Sequence, residues 1–154
     1  NHDFLIDVFN ECYKKNNNYK LVLIGEGVLE DKIKEKVKIL NLENNVIFAG
    51  FREDVNECIQ AMDIFAFPSL FEGLGIVLVE AQASGLPCFA TKSTIPEEVR
   101  INGNFKFLNL NLNEWVNQIL NCDLNRIETK DNVMKNNYLI EDTVKELENT
   151  YINY

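Results

Sequence analysis

Residues 64–87 read IFAFPSLFEGLGIVLVEAQASGLP, and the fold turns on how this stretch is parsed. Ile64-Phe65-Ala66-Phe67 is apolar without alternation, the pattern of a strand buried on both faces. Pro68 ends the run, and Gly73 and Gly75 lead into an apolar stretch, Gly75 to Ser84, of helical length. Pro87 then opens a second strand, Cys88-Phe89-Ala90-Thr91. Strand, glycine loop, helix and strand make one βαβ unit.

The unit recurs on either side. Phe4, Leu5, Val8, Phe9, Cys12 and Tyr13 follow helical spacing up to the break at Asn16-Asn17-Asn18. Tyr19 to Ile24 is a strand closed by Gly25-Glu26-Gly27, and Leu29, Ile33, Val37 and Leu40 mark the helix after it. Strand Val46 to Ala49 precedes a helix from Val55 to Met62, and strand Phe105 to Leu108 precedes helical stretches at Asn113 to Leu124 and about Glu141 to Tyr151. This alternation predicts one α/β domain: a doubly wound, Rossmann-like parallel sheet of about five strands, with helices on both faces and right-handed crossovers. Such folds bind ligands at the carboxyl ends of their strands, which singles out loops 25–27, 50–52 and 68–75.

Composition narrows the chemistry. At 154 residues, 46% hydrophobic and 25% charged, the chain suits a single globular domain. Fifteen basic against 24 acidic residues give a net charge of −9, which repels a polyanion and argues against nucleic acid as a partner. No window has the apolar length of a membrane span, and Asn1-His2-Asp3-Phe4 lacks secretory features, so a cytoplasmic setting is expected. Cys12, Cys58, Cys88 and Cys122 form no C-x-x-C pair and sit among apolar neighbours, as small core residues do. With His2 the one histidine, neither a zinc site nor Ser-His-Asp or Cys-His catalysis is expected. No D-x-D or His cluster is present, so metal independence is expected too.

An acidic chain that binds phosphate must do so with backbone donors. The N–H groups of Gly73, Leu74, Gly75 and Ile76 lie at a helix start, where unpaired donors and the dipole favour a diphosphate. Glu80 interrupts the apolar run Ile76 to Val79 and Ala81, so its carboxylate should have a partner; it lies about 7.5 Å along the axis from Gly75, a span suited to ribose hydroxyls. Glu72 also reads as a solvated turn carboxylate favouring the helix dipole, and Glu80 as a structural carboxylate bonded to a neighbouring loop. Gly25-Glu26-Gly27 also occurs as a plain turn, and Arg52 as a plain surface charge.

The spacing Glu72-x7-Glu80 within SLFEGLGIVLVEAQASGLP resembles the E-x7-E signature of glycosyltransferase family 4, a retaining family of the two-domain GT-B kind. YKLVLIGEG, NVIFAGFREDV and AMDIFAFPS resemble the segments around that signature, and IPEEVRINGNFKFLNL with LNEWVNQIL is similar to the branch that builds bacterial polysaccharides. The resemblance implies that Glu72 is catalytic and contacts the donor sugar, that Gly73, Leu74, Gly75, Ile76 and Val77 hold the diphosphate, and that Glu80 holds the ribose. It implies that Gly25, Glu26 and Gly27 line the diphosphate and sugar pocket, and that Phe51 and Arg52 border the base. The substrate would be a UDP- or GDP-sugar, with no cofactor, and the acceptor a saccharide or a lipid-linked chain at the inner membrane surface.

The family's G-R turn with its lysine, and its acceptor domain, have no counterpart in the sequence. Residues 1–154 therefore read as a donor-binding domain truncated at its amino end, inactive alone. If the gap left by a missing first strand closes, the five strands should take the order 2-1-3-4-5. Two other readings compete: a GT-B sugar-nucleotide epimerase, and a non-catalytic regulatory or partner-binding module in the manner of a phospho-acceptor receiver, which lacks the acidic cluster it would need at its strand ends.

Overall fold

Cys88 to Thr91 is buried at every residue, because a strand paired on both edges and covered on both faces touches no water. The computed structural model describes residues 1–136, 138, 144, 145, 148–150 and 152. Along them run α1 (His2–Lys15), β1 (Leu21–Ile24), α2 (Glu30–Ile39), β2 (Val46–Gly50), α3 (Val55–Gln60) and β3 (Phe65–Phe67). Next come α4 (Ile76–Ala83), β4 (Cys88–Thr91), a 3₁₀ turn (Glu97–Val99), β5 (Phe105–Leu108), α5 (Leu112–Leu120) and α6 (Lys130–Lys135). The alternation expected from the sequence is present, with α6 as an element it did not anticipate. The helix expected near Glu141 to Tyr151 lies largely outside the described residues.

All strand pairs are parallel, but the order 2-1-3-4-5 as one sheet does not form. Strands β1 and β2 make one sheet and β3, β4 and β5 another, so β1 and β3 each keep a free edge. The reason lies in α1. Its Leu5, Ile6 and Phe9 pack with Leu23, Ile33, Val37 and Val46 of the first sheet and α2. Its Val8 and Cys12 pack instead with Phe89, Leu108 and Trp115 of the second sheet and α5. Packed helices need about 8–10 Å between axes, whereas paired strands lie about 4.8 Å apart. Helix α1, between α2 and α5, thus spans the gap between β1 and β3 at about the width of two strands.

Helices α3 and α4 cover the other face, where Ile59, Leu78, Val79 and Ala81 meet Cys88, Ala90 and Phe105. Side chains of β4 alternate between the two covers, Phe89 toward α1 and α5, Cys88 and Ala90 toward α4. Between the free edges of β1 and β3 lies a cavity of about 710 Å³, roofed by Leu5, Val8, Phe9 and Cys12 of α1.

Two of the four cysteines fit the expected core role, since Cys12 and Cys88 are buried while Cys58 and Cys122 are half-buried; all four are free thiols. Burial pushes the Cys12 thiol up to about 11, with Glu11 adding to it, and the Cys88 thiol up to about 12. A raised pKa leaves both as unreactive thiols at pH 8. Iodoacetamide at that pH should therefore label Cys58 and Cys122 well before Cys12 and Cys88, as read by peptide mass spectrometry. Early labelling of Cys88 would show that the β4 core is not packed as described.

Candidate functional site

The site is built on α4, whose two ends are treated differently. Every helix leaves carbonyls without partners at its carboxyl end. Here Asn102 Nδ2 donates to the Gln82 carbonyl at 2.7 Å, Thr129 Oγ1 to Ala83 at 2.7 Å and Arg126 Nη1 to Ser84 at 2.5 Å. Arg126 Nη2 also donates to the carbonyls of Gln60 and Met62 at 2.6 and 2.7 Å, locking α3 to the same corner. At the amino end, no hydrogen bond among the described residues takes the N–H of Leu74, Gly75, Ile76 or Val77. Those donors follow β3 directly, so the dipole's positive end faces the loop 68–75.

Gly75 caps this end in the left-handed region, at φ 72°. A Cβ there would stand 3.1 Å from Glu72 Cγ and 3.3 Å from Leu78 Cδ1, so a side chain would crowd Glu72 and be strained by the left-handed backbone, which glycine adopts freely. The Glu72 Oε1 accepts from the N–H of Gly73 at 3.2 Å. The loop is also tied sideways, since Thr94 Oγ1 donates to the carbonyl of Ser69 at 2.8 Å and Ser69 Oγ to Phe71. Nothing in the sequence around Thr94 marked it; a contact between loops 25 residues apart is decided by strand pairing.

Glu80 is exposed, and no side-chain hydrogen bond or ion pair among the described residues holds it. The alternative reading of Glu80 as a structural carboxylate bonded to a neighbouring loop is thus not what the structure contains.

The loops after β1 and β2 complete the carboxyl edge. Gly25, at φ 119°, donates to the Gly50 carbonyl at 2.8 Å and holds the two loops together. Gly25, Phe51, Arg52 and Val77 line the mouth of the large cavity. Glu26 and Gly27 line a second, smaller one of about 130 Å³. Glu72, Gly73, Leu74, Gly75, Ile76 and Glu80 line neither; all of them are exposed except Gly75, which is buried. Phe51 is 72% exposed, an aromatic face open to solvent. Arg52 is already engaged: its Nε donates to Asp54 Oδ1 at 2.7 Å, and that bond holds the Asp54 carboxyl below its ordinary range.

One residue set aside in the sequence belongs here. His2 lines both cavities beside Gly25, because α1 begins at the carboxyl edge. Burial lowers its imidazole pKa. Among the described residues, no group of three or more His, Cys, Asp or Glu side chains comes together as a metal site, and no helix is long and apolar enough to cross a membrane.

Parallel strands, glycine turns at their carboxyl ends and an open helix start define a Rossmann-like α/β domain. The chain belongs to the glycosyl transferases group 1 family, whose pattern matches residues 1–139. It is 43% identical over 99 residues to EpsF of Bacillus subtilis (strain 168), covering 64% of this chain and 26% of that protein. It is 31% identical over 121 residues to the poly(ribitol-phosphate) alpha-N-acetylglucosaminyltransferase of Staphylococcus aureus (strain COL), covering 77% of this chain and 24% of that enzyme. Among solved structures, a point mutant of S. aureus TarM, in complex with fondaparinux, alpha-GlcNAc-glycerol and UDP, superposes with a TM-score of 0.83 at 26% identity. That match covers 97% of this chain and 32% of TarM. Anabaena HepE in complex with UDP and glucose superposes at 0.70 with 30% identity, over 78% of this chain and 34% of HepE. The chain thus spans about a quarter of the length of these curated relatives.

Gly75→Ala tests the loop geometry. The left-handed backbone should cost about 1–2 kcal/mol in denaturant unfolding, with Glu72 displaced from above the helix start. An unchanged stability would mean that Gly75 does not hold this conformation in solution.

Proposed function

We propose that residues 1–154 are the donor-binding half of a retaining glycosyltransferase that moves a sugar from a nucleoside diphosphate sugar to a polysaccharide or lipid-linked acceptor. The observation that carries the reading is the α4 start: four N–H groups without partners among the described residues, on a helix whose far end is fully capped, beside Glu72. A diphosphate bound there is held by fixed dipoles, which suits a chain of net charge −9 and needs no metal. Solved relatives with UDP bound support the nucleotide class.

In this reading Glu72 meets the hydroxyls of the transferred sugar, Gly73 to Val77 the diphosphate, and Glu80 the ribose. Gly25 to Gly27 border the pocket, and Phe51 with Arg52 border the base. The slot between β1 and β3 is filled in the full-length protein by a strand that precedes Asn1. Supporting this, α1 starts at the carboxyl edge and roofs the slot, as the helix of a strand–α1–β1 crossover would. The acceptor is held by a further domain on the cytoplasmic side, at the inner membrane surface, and residues 1–154 alone turn over no donor because transfer needs both substrates positioned.

Glu72→Gln and Glu80→Gln, made separately in the full-length enzyme, separate the roles. Loss of the ribose contact should weaken UDP and donor alike by about 1.5–3 kcal/mol. Loss of the sugar contact should leave UDP affinity nearly unchanged and lower kcat, since its interactions strengthen as the sugar becomes cationic. Calorimetry with UDP and GDP and steady-state kinetics with the donor read both. Equal effects of the two substitutions on both quantities would make the carboxylates structural and end this assignment.

A further inference from the structure

Helix α4 reads Ile76-Val77-Leu78-Val79-Glu80-Ala81-Gln82-Ala83, apolar on nearly every side. An amphipathic stripe fixes the rotation of an ordinary helix, because turning it buries charge and exposes carbon. Here most single-residue turns swap one aliphatic side chain for another, so burial alone specifies the rotation weakly. The two polar side chains nevertheless have opposite fates, Glu80 exposed and Gln82 fully buried, about 200° apart around the axis.

Gln82 uses its whole hydrogen-bonding capacity. Nε2 donates to the carbonyls of Leu78 and Val99, both at 2.9 Å. Oε1 accepts from the N–H groups of Ile101 at 3.0 Å and Asn102 at 3.1 Å. Asn102 closes the tie through its bond to the Gln82 carbonyl, and its Oδ1 accepts from Asn132 Nδ2 of α6 at 2.9 Å.

We infer that Gln82 is the positioning residue that sets the rotation of α4, and thereby the direction in which Glu80 is presented to a ligand. Hydrogen bonds are directional where apolar contact is not, and any rotation strips partners from three backbone groups of residues 99–102 that have no water to replace them. The functional half of this inference rests on the donor-site reading; the tie itself does not.

The test compares Gln82→Met, similar in size but unable to make these bonds, with Phe89→Leu, a core change in a different cluster, both in the full-length protein. Amide hydrogen exchange and calorimetric titration with UDP are the readouts. Gln82→Met should speed exchange at Ile101, Asn102 and the internal amides of α4 and weaken UDP at least tenfold, while Phe89→Leu keeps UDP affinity within twofold at a similar loss of thermal stability. Asn102→Ala, which severs the outer link alone, should give an intermediate loss and serves if Gln82→Met does not fold. Unchanged exchange on α4, or equal UDP losses from Gln82→Met and Phe89→Leu, would reduce Gln82 to core filling. Should the parent protein bind no UDP, the donor reading falls and the exchange comparison still decides the tie.

Discussion

The carboxyl end of α4 is the constraint on which the site depends. A helix buried at its end must find partners for its last carbonyls, and here those partners include side chains from well beyond β4: Asn102, Arg126 and Thr129, with Asn104 holding the carbonyl of Gly85 just past the cap. Because they come from segments before β5 and after α5, the helix is fixed to the far side of the sheet. Its other end is then free to point unpaired donors at the carboxyl edge. In the proposed function, an anion site made this way would be rigid before any ligand arrives, and an acidic protein could favour a phosphate without a cluster of lysines.

The second organising feature is α1, which belongs to two clusters at once. One side of it builds the core of β1, β2 and α2, and the other that of β4, β5 and α5. Phe4 of α1 meets Trp115 of α5 edge to face with centroids 5.8 Å apart, and the indole N–H donates to the Asn109 carbonyl in the loop before α5, which fixes the ring that α1 packs against. Holding two sheets at a fixed separation leaves a slot lined by backbone edges, and unpaired edges in an apolar cavity are costly unless something pairs with them. That cost is why the slot, the roof helix and the length of the relatives lead to the same proposal.

The rim of the site combines polar and apolar character in an ordered way. Phe51, Leu70, Phe71, Leu74 and Ile76 are all well exposed around the loops after β2 and β3, with Phe71 at 90%. Between them lie Glu72 and the free N–H groups. An apolar surround of that kind lowers the local dielectric once it is covered, and a lower dielectric strengthens the attraction of the helix start for negative charge.

Much of this was legible in the residues themselves. Unalternating strands such as Leu21 to Ile24, glycines at strand ends and the loop from Pro68 to Gly75 determined a parallel α/β domain and the edge at which it binds, because those signals are local to a few consecutive residues. Helix ends drifted, by two positions at Val55–Gln60 and by four at the carboxyl end of Leu112–Leu120, since the last turn is set by caps that the periodicity does not contain. The split of the sheet, the place of His2 at the cavity mouth, the Thr94–Ser69 tie and the full saturation of Gln82 were invisible. Each is a contact between segments far apart in sequence, and only the packing of α1 against two sheets and of α4 against residues 99–102 brings those atoms within bonding distance.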